Sequence, residues 1–170
     1  MRKHFTIRVA SQNDLSEINS LLIRSYAVLM RQAYTTSTLD EVIPVIGRAN
    51  TSLLYTGQYY VAFDSNSVVS GAGGWTKEAP ANGTLRKEVG HLRHFATDPT
   101  CVGQGIGSAI FDRCVVEARA AGLTDFSVFA SLNAQGFYER MGFQVIRTVF
   151  LDLAPGTTFE VVEMWRSITQ

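Results

Sequence analysis

The chain has 170 residues, 46% of them hydrophobic, and its 15 Lys and Arg balance its 15 Asp and Glu to a formal charge of zero. That length suits one domain (residues 1–170) that buries about 70% of its unfolded surface and needs no staples. The charge balance argues against nucleic acid or an anionic membrane as the main partner, and no stretch reaches the ~18 apolar residues of a membrane span. Cys101 and Cys114 are spaced neither as a metal site nor as a disulfide framework. They read as free thiols in a reducing compartment. The opening MRKHFTIRVAS lacks the apolar run of a signal peptide, so a cytoplasmic setting is expected.

Residues 4–10 alternate Phe5, Ile7 and Val9 with polar partners, the period of a strand. Ser11 and Asp14 have capping-box spacing ahead of a helix carrying Leu15, Ile18, Leu22 and Leu29. A weaker helix covers residues 39–48 and contains Pro44. Residues 58–63 and 68–75 flank Asp64, Ser65 and Asn66 as a hairpin, with Gly71, Gly73 and Gly74 marking a bulge or a packed approach. Residues 76–83 read as an exposed loop, and residues 88–97 as a strand ended by Asp98-Pro99.

The next helix places Ile106, Ile110, Cys114, Ala118 and Ala121 about four apart and is closed by Gly122. A short strand (126–130) and a short helix (134–141, ended by Gly142) follow. Two more strands, 143–153 and 159–166, flank Pro155 and Gly156. The order β-α-α-β-β-β-α-β-α-β-β describes a single mixed α/β domain.

Between strand and helix lies VGQGIGSAIF, with glycines at 103, 105 and 107. A dinucleotide fingerprint, which would make the chain a nucleotide-binding protein, is a poor fit because Ser108 stands at the third glycine and Asp125 precedes the following strand. A P-loop is excluded because no Gly-Lys-Ser/Thr follows. Two readings fit better, a plain glycine-rich turn and an anion site. The second draws on free backbone N–H groups and the positive end of the helix dipole, which suit a phosphate.

HFATDPTCVGQGIGSAIFDRCVVEARAAG followed by FASLNAQGFYERMGF resembles the GNAT superfamily of N-acetyltransferases. The resemblance spans most of the chain and is thinnest over residues 32–57. It implies a central, mostly antiparallel twisted sheet flanked by helices, and transfer of an acetyl group from acetyl-CoA to an amine. Gly105 and Gly107 match the last two fixed positions of the family's pyrophosphate loop, with Gly103 and Gln104 at variable ones. Val102 stands where Arg or Gln is usual, and the grip extends into Ile106 and Ser108. Phe95, Ala96 and Thr97 match a strand that splays at a bulge and offers main-chain groups to the pantetheine arm. Asn133 and Phe137 match the family's asparagine-to-tyrosine region as cofactor contacts, Asn133 reading equally as a helix N-cap.

By the same resemblance Tyr138 is the general acid for the departing thiolate, its alternative being a buried core aromatic. His91 is the candidate base, with Glu88, His94 and a water chain as rivals. The acceptor amine would be set by residues 26–48 and 76–86, where Asp40, Glu41 and Glu78 are the acids at hand. No metal site is expected, and a homodimer is compatible with the family. The alternative function is a catalytically silent acyl-CoA-binding or sensor domain of the same fold.

Overall fold

The computed structural model describes residues 4–79 and 86–169. Among the described residues seven strands form one sheet: β1 (Thr6–Val9), β2 (Tyr59–Phe63), β3 (Val69–Thr76), β4 (Val89–Thr97), β5 (Asp125–Ser131), β6 (Gln144–Ala154) and β7 (Thr157–Ser167). Their spatial order is β1-β2-β3-β4-β5-β7-β6. Every neighbouring pair is antiparallel except β4 with β5. Four α-helices complete the fold of the described residues: α1 (Leu15–Leu29), α2 (Thr36–Ile46), α3 (Ile106–Ala120) and α4 (Gln135–Arg140). No helix among the described residues is long and apolar enough to cross a membrane.

The helices cover both faces of the sheet. Ile106, Ile110, Phe111, Cys114 and Ala118 of α3 bury against Trp75, Leu92 and Phe126. Ile18, Leu21 and Leu22 of α1 bury against Tyr59, Val61 and Ala72, while Leu39 and Val42 of α2 meet Phe159 and Val161. Both cysteines are free and buried. The entry to α1 is held by Asp14, which accepts from the Ser11 N–H at 2.7 Å and from both ends of the Arg8 guanidinium at 2.8 Å. The hydrogen bond from Arg8 pulls the Asp14 pKa down to about 2.

The expected helix over 39–48 in fact begins three residues earlier. Thr35 caps it by accepting from the Thr38 N–H at 3.2 Å, and Pro44 is carried inside, two residues from the end. Proline removes one intrahelical bond, and so near the C-terminus the loss ends the helix without breaking it. Part of the expected 76–83 loop lies outside the described residues, and Thr76 belongs to β3. Asp125 is the first residue of β5, where it accepts from the Trp165 Nε1 at 2.9 Å.

β4 is the irregular strand. Arg93 pairs with Gly74 and Ala96 with Ala72, so His94 and Phe95 together face Gly73 alone. This is a bulge, and His94 takes the left-handed conformation (φ 46°). The two readings of the β3 glycines both hold. A Cβ on Gly73 would sit 2.7 Å from the Phe95 ring, and one on Gly74 would sit 2.3 Å from the Gln58 carbonyl oxygen and 2.6 Å from the Tyr59 Cα. Because the obstruction at Gly74 is backbone, it cannot be relieved by a rotamer change. Gly74→Ala is therefore expected to lower unfolding free energy by about 2 kcal/mol or more in urea titrations.

Candidate active site

The bulge separates two strands. β4 and β5 pair in parallel only at Val89–Asp125, Gly90–Phe126 and His91–Ser127. Beyond His91, β4 stays with β3 and β5 stays with β7 through Ser131, so a gap opens between them. Parallel strands normally satisfy each other's N–H and C=O groups. Here the β4 groups that face β5 past His91 have no strand partner.

A cleft of about 530 Å³ enters the gap from the side of α3 and α4. Phe95, Ala96 and Thr97 line it, as do Val102, Gly103, Gly105, Ile106, Gly107 and Ser108. Asn133, Phe137 and Tyr138 complete the set that the sequence brings forward. Two expected residues are not among its walls. Gln104 turns back and its Nε2 donates to the Thr100 carbonyl at 3.3 Å. His91 is 5% exposed, lines neither this cleft nor the cavity described below, and has an unpartnered buried Nε2. Its rival Glu88 is exposed.

The three loop glycines serve two purposes. Gly103 (φ 79°) and Gly105 (φ 87°) need positive φ, and a Cβ on either would meet nothing within 4 Å. Gly107 lies inside α3, where its missing Cβ makes room for the Phe137 ring at 3.1 Å. The first helical bond runs from the Ala109 N–H to the Gly105 carbonyl at 3.0 Å, leaving the N–H groups of Ile106, Gly107 and Ser108 free of the helix. Together these produce an open, electropositive helix start suited to an anion. Arg140, which sequence reasoning missed, is the cationic side chain on the cleft wall.

Asn133 does not cap α4. Its position lies in a 3₁₀ turn (Leu132–Ala134) that leads into the helix, and its Oδ1 is buried with no partner among the described residues. An orphaned acceptor on a cleft wall fits a ligand with an amide N–H, as the pantetheine arm of coenzyme A has. The cleft's open loop, free N–H groups and orphaned Asn133 together fit that cofactor.

A second cavity of about 250 Å³ reaches the same gap from the side of β6 and β7. Tyr26, Met30, Phe95, Ser131, Ala134 and Tyr138 line both. Tyr138 is 4% exposed, and its ring stacks edge-on against Phe95, Phe137 and Phe143 at centroid distances of 6.3, 5.1 and 5.4 Å. Burial drives its pKa well above that of a free phenol. Tyr26 of α1 and Met30, just past its end, lay hidden in a segment whose periodicity signals only an apolar face.

His94 is the histidine that the bulge brings to the second cavity. Burial, with help from the Arg93 charge, lowers its pKa to about 4, and His91 is lowered by the same two causes. Both histidines are neutral in the folded chain where an unfolded histidine would be charged, so stability falls as pH drops from about 6.5 towards 4. Asp14 adds to this only lower, as pH falls from 3.8 towards 2. For His94 the loss is no more than about 3 kcal/mol. His94→Asn, which tolerates the left-handed backbone, should flatten that part of the pH profile in urea unfolding. An unchanged profile would remove His94 from the account.

Residues 56–145, 90 of 170, match the family model described as an acetyltransferase (GNAT) domain. Over 46 residues the chain is 35% identical to serotonin N-acetyltransferase 2, chloroplastic, of Oryza sativa subsp. japonica; the match covers 27% of this chain and 23% of that protein. Among solved structures, a GCN5-related N-acetyltransferase from Rhodopseudomonas palustris superposes with a TM-score of 0.78 at 16% identity over 98% of each chain. The PaiA N-acetyltransferase of Thermoplasma acidophilum, solved with coenzyme A, gives 0.73 at 16% identity over 96% of this chain and 99% of that one.

Proposed function

Because the chain belongs to the GNAT acetyltransferase family, we propose that it transfers the acetyl group of acetyl-CoA to a primary amine by direct attack in a ternary complex. The observation that carries this reading is the meeting of two cavities at Phe95, Ser131, Ala134 and Tyr138. One has an anion-binding mouth suited to a pyrophosphate, and the other is a separate room for an acceptor. When bound, acetyl-CoA supplies a thioester carbonyl open to attack and a thiol as leaving group.

The chain's own residues then have separate tasks. Gly103 and Gly105 turn the loop so that the N–H groups of Ile106, Gly107 and Ser108 hold the phosphates. Main-chain groups of Phe95, Ala96 and Thr97, left without a β5 partner, receive the pantetheine arm, and an N–H among them polarises the carbonyl. Asn133 Oδ1 accepts from an amide of the same arm.

Tyr138 protonates the leaving thiolate. Its raised pKa keeps the phenol protonated at neutral pH, and the burial that raises it raises a neighbouring thiol in the same direction. His91 and Glu88, away from both cavities, are not assigned the base. His94 is in place, but a pKa of about 4 makes it too weak to strip an alkylammonium. The amine therefore loses its proton through solvent, with the neutral imidazole accepting a hydrogen bond from it.

Tyr138→Phe keeps the ring contacts and removes the hydroxyl, so single-turnover acetylation should slow by about 10²–10⁴-fold with little change in acetyl-CoA affinity. A parental rate would leave Tyr138 a packing residue. Val102, 55% exposed on the cleft wall, is where a charged contact is missing. Val102→Arg should tighten coenzyme A binding by about 10-fold in low-salt calorimetry, an effect that fades as salt is added.

A further inference from the structure

We infer that the acceptor is a primary amine that also bears a carboxylate on an apolar frame, of which a hydrophobic α-amino acid is the simplest example. The inference rests on the acyl-transfer reading of the site and concerns the second cavity. Met30, Ile46, Phe129, Leu151 and Phe159 supply its apolar walls. Arg93 is the charged side chain among them at neutral pH, since His94 is held neutral and Tyr138 stays protonated.

No carboxylate lines this cavity among the described residues. Glu78 hydrogen-bonds Arg93 through its main-chain carbonyl, at 3.4 Å, and its carboxylate, near enough to favour the charged guanidinium, is not among the walls. Glu163, on β7, is paired with Arg147 at 2.6 Å. Glu41 accepts from the Thr157 hydroxyl at 3.3 Å, and Asp40 is not among the walls. A polyamine or a lysine-rich tail would find no carboxylate on these walls and would meet the Arg93 charge instead.

Arg93 is equipped to take an anion. Its Nε donates to the Thr76 Oγ1 at 3.1 Å, which fixes the plane of the guanidinium. Apart from that bond and the one to Glu78, the fork's N–H groups have no partner among the described residues. A planar fork with spare donors in an apolar room matches a carboxylate better than any neutral group. Arg93 stands two residues before Phe95, so an anion held there leaves the rest of a small acceptor at the junction with the first cleft.

The test is calorimetric titration of the protein saturated with coenzyme A. The probes are L-phenylalanine and L-leucine, each against its decarboxylated amine, phenethylamine and 3-methylbutylamine. The amino acids should bind about 10–100-fold more tightly than the amines. Arg93→Gln should abolish that preference at unchanged coenzyme A affinity, and Arg93→Lys should restore only part of it. Equal or tighter binding of the amines, no binding by either set, or a preference that survives in Arg93→Gln overturns the inference. Thiol release, followed in parallel samples that hold acetyl-CoA in place of coenzyme A, separates the two claims. Carboxylate-dependent binding without release sinks the transferase reading and leaves the acceptor class standing, whereas release with phenethylamine but not with phenylalanine does the reverse.

Discussion

The extra residue in β4 is the constraint from which the site follows. At the bulge His94 takes φ 46°, a conformation that costs about 1–3 kcal/mol for a non-glycine residue. Two contacts hold it there. The buried Tyr59 hydroxyl donates to the His94 carbonyl at 2.8 Å, and the Phe95 ring lies against the bare backbone of Gly73. With β3 and β7 each keeping its own neighbour, β4 and β5 part after three paired residues. One irregularity thus frees main-chain groups for a ligand, turns His94 into one cavity and sets Phe95 between the two.

Around that gap the fold arranges charge with economy. The opening of α3 is electropositive by its backbone alone, so the loop needs few cationic side chains to attract phosphate. The loop is also tied to α1, whose Arg24 reaches Asp98 at 2.9 Å, while Asp98 accepts from the Thr100 N–H and hydroxyl at 3.0 and 2.7 Å. Burial pushes the Asp98 carboxyl up, but the bonds from Thr100 and Arg24 outweigh it and hold it below its ordinary value. Since α1 and the turn that follows it also supply Tyr26 and Met30 to both cavities, this ion pair joins the floor of the site to its anion-binding mouth.

The elements with strong local signals were legible from residue order. The β2–β3 hairpin, α3 with its glycines before and after, and the short helix carrying Tyr138 all rest on patterns a few residues long. The start of α2 was missed because Thr35 is a cap without an apolar face behind it, and Pro44 suggests a break that the helix end absorbs. The cleft-lining loop was readable because positive-φ glycines before a helix have few other uses. The base was not, since alternation along β4 places His91 and His94 only if the bulge is known, and that bulge depends on the contact of Phe95 with a different strand. Arg93 and Arg140 were silent although each neighbours a residue that the family resemblance marks, Phe95 and Phe137, because an isolated arginine reads the same on a cleft wall as on a solvated surface.

The central claim is that one ligand enters between β4 and β5 along the α3–α4 side and stops at Tyr138. Hydrogen exchange measured with and without acetyl-CoA tests it directly. The account expects slowed exchange confined to the amides of residues 95–97, 103–109 and 131–138, with β6 and the far half of β7 unchanged until an amine acceptor is added. Protection that bypasses residues 103–109, or that falls first on β6 and β7, would contradict it.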